Sequence, residues 1–267
     1  MILHRPNPLP LLRRLMSNLV QAPFFGVATA ACGSVSLLVS LVDKSGRAQH
    51  RIAQTWARLA VWASGARLTV VGAEHLHAAG PVVYAANHTS YMDTPVVFSS
   101  LPNQFRILAK IELWRVPFIG WYLSRSGQIP IDTANPRATV SSLSVGVKAL
   151  KAGMPIFVFP EGGRTPDGEV QPFMNGATFL AIRAQVPLVP LALIGVYDLL
   201  PIHTHHFYPA PMKLVAGKAI STVGRTMRDV DALTAELKDA IEQLIRENGG
   251  ERNPAKDAGA REMVAQG

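Results

Sequence analysis

Between Leu15 and Val42 the chain carries no charged residue. Its segment 22–42, APFFGVATAACGSVSLLVSLV, would cross a hydrocarbon core as a helix of about twenty residues. Arg13 and Arg14 precede the run, and Asp43, Lys44, Arg47 and Arg51 follow it. A buried core helix is the soluble alternative, but Gly26, Gly33 and the interspersed serines suit a membrane helix better than an efficient soluble one. A cleaved signal peptide fits poorly, because the apolar region is long for one and the following segment stays amphipathic. Basic residues on both flanks leave the orientation open and also suit a hairpin that enters one leaflet and returns.

Downstream of the charged turn, Ile52, Thr55, Trp56, Leu59, Ala60 and Ala63 recur at helical spacing. Arg51 and Arg58 are available for lipid headgroups, while Trp56 and Trp62 suit either the interface or core packing. We therefore expect residues 1–64 to form a membrane-associated helical segment, residues 65–249 a catalytic domain, and the small, polar residues 250–267 a loose tail. The 26 basic residues against 18 acidic ones give a net charge of +8, which attracts nucleic acid, anionic lipid or phosphorylated substrates alike. The single cysteine, Cys32, excludes an internal disulfide and a cysteine-based metal site.

Beyond Gly65, short β-rich apolar runs alternate with helical stretches, the pattern of an α/β domain. Strands are expected at Leu68 to Val71, Val82 to Ala85, Phe105 to Ala109, Ile156 to Phe159, Leu188 to Ile194 and Lys213 to Ala216. Helices are expected at Pro95 to Ser100, Trp114 to Leu123, Arg137 to Ala152 and Gly176 to Gln185. A final helix carries the stripe Leu233, Leu237, Ala240, Ile241, Leu244 and Ile245 behind Asp231 and before Gly249-Gly250.

Two stretches carry chemistry. Directly after the apolar VVYAA comes Asn87-His88-Thr89-Ser90-Tyr91-Met92-Asp93, where a histidine and a carboxylate follow a strand. Such loops are where α/β proteins place reactive groups, and a carboxylate on one ring nitrogen fixes the tautomer that lets the other take a proton. On its own the pair is equally a helix-capping Asp93 beside a surface His88. The second stretch, Phe159-Pro160-Glu161-Gly162-Gly163-Arg164-Thr165, runs from a strand into a glycine-rich turn that carries a cation, suited to a phosphate or a developing oxyanion. Alone, it is equally a hairpin loop with a solvated arginine.

Taken together and in order, these stretches resemble the glycerolipid acyltransferases of the 1-acylglycerol-3-phosphate acyltransferase type. NHTSYMD is similar to the family's first motif, a His and an Asp with four residues between. FPEGGRT resembles the acceptor-binding motif Phe-Pro-Glu-Gly-Thr-Arg-Ser, with Gly163 in place of Thr and Thr165 in place of Ser. Gly127 to Asp132 looks like the second motif, Val186 to Pro190 like the fourth, and Ala109 to Leu113 with Pro117 to Gly120 is a further similar stretch. The second motif usually ends in Arg, but Thr133 stands there: either Arg137 or Lys110 substitutes for it, or the acceptor is a different lysolipid that lacks the usual phosphate.

The resemblance implies a mixed, mainly parallel sheet flanked by helices, with an N-terminal membrane-embedded helix or two-helix hairpin. It implies His88 as general base and Asp93 as its orienting partner. Lys110, Glu161, Gly162, Gly163, Arg164 and Thr165 become the substrate-binding set, with Glu161 bracing the turn and the Gly162-Gly163 amides facing an oxyanion. The expected reaction moves a fatty acyl group from acyl-CoA or acyl-ACP, a co-substrate, to the hydroxyl of a lysophospholipid such as 1-acyl-sn-glycerol 3-phosphate. Partners are then membrane lipids, the lysophospholipid and the acyl donor, at the cytoplasmic face of an inner membrane.

No cofactor or metal is expected; His203, His205 and His206 lack an acidic or cysteine companion nearby. A lipid or thioester hydrolase is the competing enzyme class, opposed by the lack of a Gly-x-Ser-x-Gly elbow. Nucleic-acid binding is permitted by charge, but no such motif is present.

Overall fold

In the computed structural model, residues 11–77, 80–202, 204, 206–208 and 210–249 are described. The expected tail at 250–267 and two of the three clustered histidines, His203 and His205, lie outside them.

The apolar run forms α1 (Leu11–Met16) and α2 (Ala22–Val39), joined through a wider helical turn at Ser17–Gln21. That turn gives two polar side chains something to bond. The Ser17 hydroxyl donates to Gln21 Oε1 at 3.0 Å and accepts from the Phe207 amide at 3.1 Å, while Gln21 Nε2 donates to Ala63 O at 2.9 Å. The whole run, Leu11–Val39, is long and apolar enough to cross a membrane. One face of α2 is buried at Ala28, Gly33 and Ser36, whereas Val27 and Leu38 are 68% and 65% exposed. Such an exposed apolar face needs a lipid or protein covering.

After a short turn the chain returns as α3 (Arg47–Ala63), so the two helices form a hairpin. Asp43 accepts from the Ser45 and Ala48 amides and fastens the start of α3. Trp56 Nε1 donates to Thr29 Oγ1 across the hairpin at 3.0 Å, and its ring meets Phe25 edge-on. Unlike α2, α3 is amphipathic: Ala53, Ala57 and Ala60 join the domain core, and Arg51 and Arg58 face outward. The sequence boundary at residue 64 is therefore no boundary in packing.

The sheet contains β1 (Leu68–Val71), β2 (Val83–Ala86), β3 (Arg106–Lys110), β4 (Ile129–Ile131), β5 (Ile156–Val158), β6 (Leu188–Ile194) and β7 (Met212–Ala216). Their order is β1-β7-β6-β2-β5-β3-β4, and every pairing is parallel except β6 with β7. The mixed, mainly parallel sheet expected from the sequence is thus present. β4 is an addition: it is three residues long and contains Pro130, which an edge strand tolerates.

Helices α4 (Asp93–Ser100), α5 (Ile119–Arg125), α6 (Pro136–Lys151), α7 (Gly176–Ala184), α8 (Val196–Leu199) and α9 (Val230–Glu247) complete the chain. One core unites α3 and α4 with one face of the sheet around Tyr84, Phe98, Phe105 and Phe157. The other unites α6, α7 and α9 with the opposite face around Leu150, Ile156, Leu180 and Ile241. Covering both faces explains why β2 is buried at every position.

The helix expected from Trp114 to Leu123 is broken. A 3₁₀ turn at Ile111–Arg115 ends before Pro117, and α5 starts only at Ile119. Between them Phe118 adopts φ 63°, ψ −49°, and the Ile119 amide closes a tight turn onto Pro117 O at 2.7 Å. Phe118 packs directly on α2, where a Cβ at Gly33 would lie only 2.6 Å from Phe118 Cβ. Gly33→Val should therefore push the hairpin off α5 and lower the melting temperature in detergent by roughly 3–10 °C. An unchanged melting temperature would show that this contact contributes nothing to holding the hairpin.

Candidate active site

Parallel strands β2, β5, β3 and β4 are neighbours in that order, so the loops at their carboxyl ends open on one edge of the sheet. Topology alone therefore gathers His88, the Glu161–Thr165 turn, Lys110 and Thr133 there.

Asp93 is the first residue of α4 and is fully buried. Its Oδ2 accepts from His88 Nδ1 at 2.8 Å, the Thr89 amide at 2.6 Å and the Ser90 amide at 2.7 Å. A buried carboxylate is costly unless paired, and here the loop wraps its own amides around it at a helix N-terminus. Because an ionised carboxylate only accepts, His88 Nδ1 must carry the hydrogen, which leaves Nε2 with the free lone pair. The imidazole also stacks on Phe159, with centroids 3.8 Å apart and planes 13° from parallel. Two contacts thus fix the ring that a capping aspartate beside a solvated histidine would leave loose.

The backbone of His88 is held from β5's loop. Glu161 Oε1 accepts the His88 amide at 2.7 Å and Oε2 accepts the Gln171 amide at 3.0 Å, while the Thr165 amide donates to His88 O at 2.9 Å. Glu161 therefore braces the turn. Burial outweighs those two hydrogen bonds and pushes its pKa up to about 7. On the other side of β2, the Asn87 side chain exchanges two hydrogen bonds with the Leu193 backbone of β6.

The glycine pair behaves asymmetrically. The Gly162 amide donates to Phe159 O and is consumed within the turn, whereas the Gly163 amide makes no hydrogen bond among the described residues. Of the two, it is the Gly163 N–H that remains for another acceptor. Lys110, at the end of β3, reaches the same turn: a Cβ at Gly163 would lie 3.7 Å from its Nζ. The Arg164 guanidinium lies 4.0 Å above the Tyr91 ring, and burial pushes its pKa down.

A cavity of about 370 Å³ opens between α2, α3, α4 and α5. Its walls are chiefly apolar, including Phe25, Cys32, Trp56, Phe98 and Phe118, and Tyr91 and Arg164 also line it. His88 is not part of that lining; it connects to it through Tyr91, three residues on, and through Thr165 beside Arg164. Thr133 and Arg137 are exposed beyond β4, and neither lines the cavity. The Val186–Pro190 stretch starts β6 at the opposite end of the sheet and builds core. Sequence reasoning did not single out Phe159 or Tyr91 as site residues, although both lie inside the stretches it read; their signal was an aromatic beside a charged group.

A family model described as acyltransferase matches residues 67–194. The 1-acyl-sn-glycerol-3-phosphate acyltransferase of Pseudomonas aeruginosa is 33% identical over 215 residues, covering 78% of this chain and 80% of that one. A chloroplastic 1-acyl-sn-glycerol-3-phosphate acyltransferase of Brassica napus is 33% identical over 165 residues, 61% of this chain, and the match spans about half of that relative's length, 47%. The crystal structure of the 1-acyl-sn-glycerophosphate (LPA) acyltransferase PlsC from Thermotoga maritima has the same fold, with a TM-score of 0.75 at 22% identity over 90% of this chain and 99% of that one.

Asp93→Asn should keep the shape of the loop but misplace the ring hydrogen, lowering turnover by about 10³-fold or more in steady-state assay of folded protein. Glu161 yields a pH signature. Its folded pKa of about 7 stands above its ordinary 4.5, so the stability tied to its protonated form is complete below 4.5 and lost as pH rises through 7. The wild-type melting temperature should decline over that window, by the equivalent of up to about 3 kcal/mol, and Glu161→Gln should remove this component.

Proposed function

The chain belongs to the acyltransferase family of the 1-acyl-sn-glycerol-3-phosphate acyltransferases, and on that premise we propose that it moves a fatty acyl group from acyl-coenzyme A or acyl carrier protein to the hydroxyl of 1-acyl-sn-glycerol 3-phosphate, giving phosphatidic acid. The observation that carries this reading is the His88 Nδ1–Asp93 contact at 2.8 Å, on a loop whose Tyr91 meets the Arg164 guanidinium and lines an apolar cavity.

The acceptor hydroxyl approaches His88 Nε2, which takes its proton as the oxygen attacks the thioester carbonyl. Asp93 holds the ring and steadies the imidazolium. The carbonyl oxygen gains charge and is met by the Gly163 amide. As the tetrahedral intermediate collapses, the carbon–sulfur bond breaks and His88 returns the proton to the departing thiol. No acyl-enzyme forms, because the base acts directly on the attacking alcohol. Lys110 and Arg164 hold the acceptor's phosphate, and the cavity, of a size usual for ligand pockets, receives an acyl chain.

The apolar helix run attaches the enzyme to the membrane in which its acceptor and product reside. The cytoplasmic face of an inner membrane is the side on which thioester donors are made.

Purified protein given a labelled acyl thioester should form phosphatidic acid only when lysophosphatidate is added, and His88→Ala should lower that rate by about 10²- to 10⁴-fold. Near wild-type turnover by folded His88→Ala would remove His88 from the mechanism. Thioester cleavage without acceptor would make the protein a hydrolase.

A further inference from the structure

We propose that Tyr91 is the positioning residue of the anion site: the face of its ring, not its hydroxyl, holds the Arg164 guanidinium ready to receive the acceptor's phosphate. The inference rests on the phosphate-bearing acceptor proposed above.

Tyr91 is out of keeping with its loop. From Asn87 to Asp93 every other residue is at most 9% exposed, yet Tyr91, the largest, is 50% exposed. Its outward ring meets the Arg164 guanidinium at 4.0 Å.

Arg164 is equally unusual. It is partly withdrawn from water, it forms no ion pair among the described residues, and its Nε is buried without a hydrogen-bond partner. A desolvated cation normally gains a carboxylate, but a carboxylate would occupy the in-plane N–H edge that a phosphate needs. Stacking uses the face of the guanidinium instead and leaves that edge free. An aromatic ring is therefore the partner that fixes an arginine without consuming its donors.

The placement also sets a distance. Tyr91 lies three residues beyond His88, and the Thr165 amide beside Arg164 bonds to His88 O. Base and cation are thus held on one loop pair, so a phosphate seated on Arg164 presents its glycerol hydroxyl at a fixed reach from Nε2. Lys110, on a long flexible stem, adds charge but not direction.

Steady-state kinetics of Tyr91→Leu and Tyr91→Phe test this, with lysophosphatidate and with monoacylglycerol, which lacks the phosphate. Tyr91→Leu should raise the KM for lysophosphatidate about tenfold with a much smaller change in kcat, a larger rise than for any monoacylglycerol acylation; Tyr91→Phe should recover the wild-type KM to within about twofold. If Tyr91→Phe behaves like Tyr91→Leu, the hydroxyl is the contact and the assignment is overturned. An unmoved KM in folded Tyr91→Leu overturns it too.

A second readout needs no turnover. Phenylglyoxal labelling of Arg164, followed by peptide mass spectrometry, should be blocked by glycerol 3-phosphate at a concentration about tenfold higher in Tyr91→Leu than in wild type or Tyr91→Phe. Equal protection in all three sinks the proposal. If wild type acylates no lysophosphatidate while the protection pattern holds, the acceptor reading fails and the role of Tyr91 stands.

Discussion

The buried carboxylate of Asp93 is the constraint around which the site is arranged. Three donors converge on one of its oxygens, and two are amides of the residues just after His88. That geometry is possible only because the chain leaves β2, turns at once and enters α4 with Asp93 in the first turn. Four intervening residues are what the turn requires, so the spacing of His and Asp is a consequence of backbone geometry. Phe159, Glu161 and Thr165 then hold the histidine from the other side, through its ring, its amide and its carbonyl. A side chain pinned at so many points loses little further freedom when it accepts a proton, which is what preorganisation means here.

Holding His88 this firmly demands that β2 and β5 be neighbours, and the sheet makes them so. Because β2, β5, β3 and β4 are parallel, each contributes its carboxyl-end loop to the same edge. Asn87 ties the His88 loop to β6, and α3 and α4 close the face beneath it. The amphipathic α3 is therefore shared between two roles. It belongs to the hairpin by its contact with α2 and to the domain by its alanine face.

Much of this was legible in the sequence because it rests on short-range pattern. Strands buried on both faces announce themselves as apolar runs, the uncharged run as a long apolar helix, and the His-Asp and Glu-Arg stretches as loops after strands. What escaped was set by tertiary contact. β4 is too short and too proline-bearing to read as a strand until β3 lies beside it. The break at Phe118 needs α2 to press on it, which no local periodicity reveals. Gly162 and Gly163 look equivalent as letters, but only the folded turn turns one amide inward. Arg137 was a reasonable substitute for the missing arginine by linear distance, yet the first turn of α6 leaves it exposed and away from the cavity wall.

The join between the hairpin and the sheet is over-determined sterically. Phe118 occupies a backbone region that costs an ordinary residue about 1–3 kcal/mol. It stays there because Gly33 lets α2 approach its Cβ and because Gly120, where a Cβ would lie 2.2 Å from Trp114 O, lets the following turn close. Strain of this kind persists only where its surroundings leave no relaxed alternative. Phe118 and Gly33 both line the apolar cavity, so the strain is spent on shaping its wall. The long apolar helix is thus part of the wall: with α2 removed, the cavity beside Arg164 would lose one side. Placement of the long apolar helix and assembly of that cavity are in this sense one structural event.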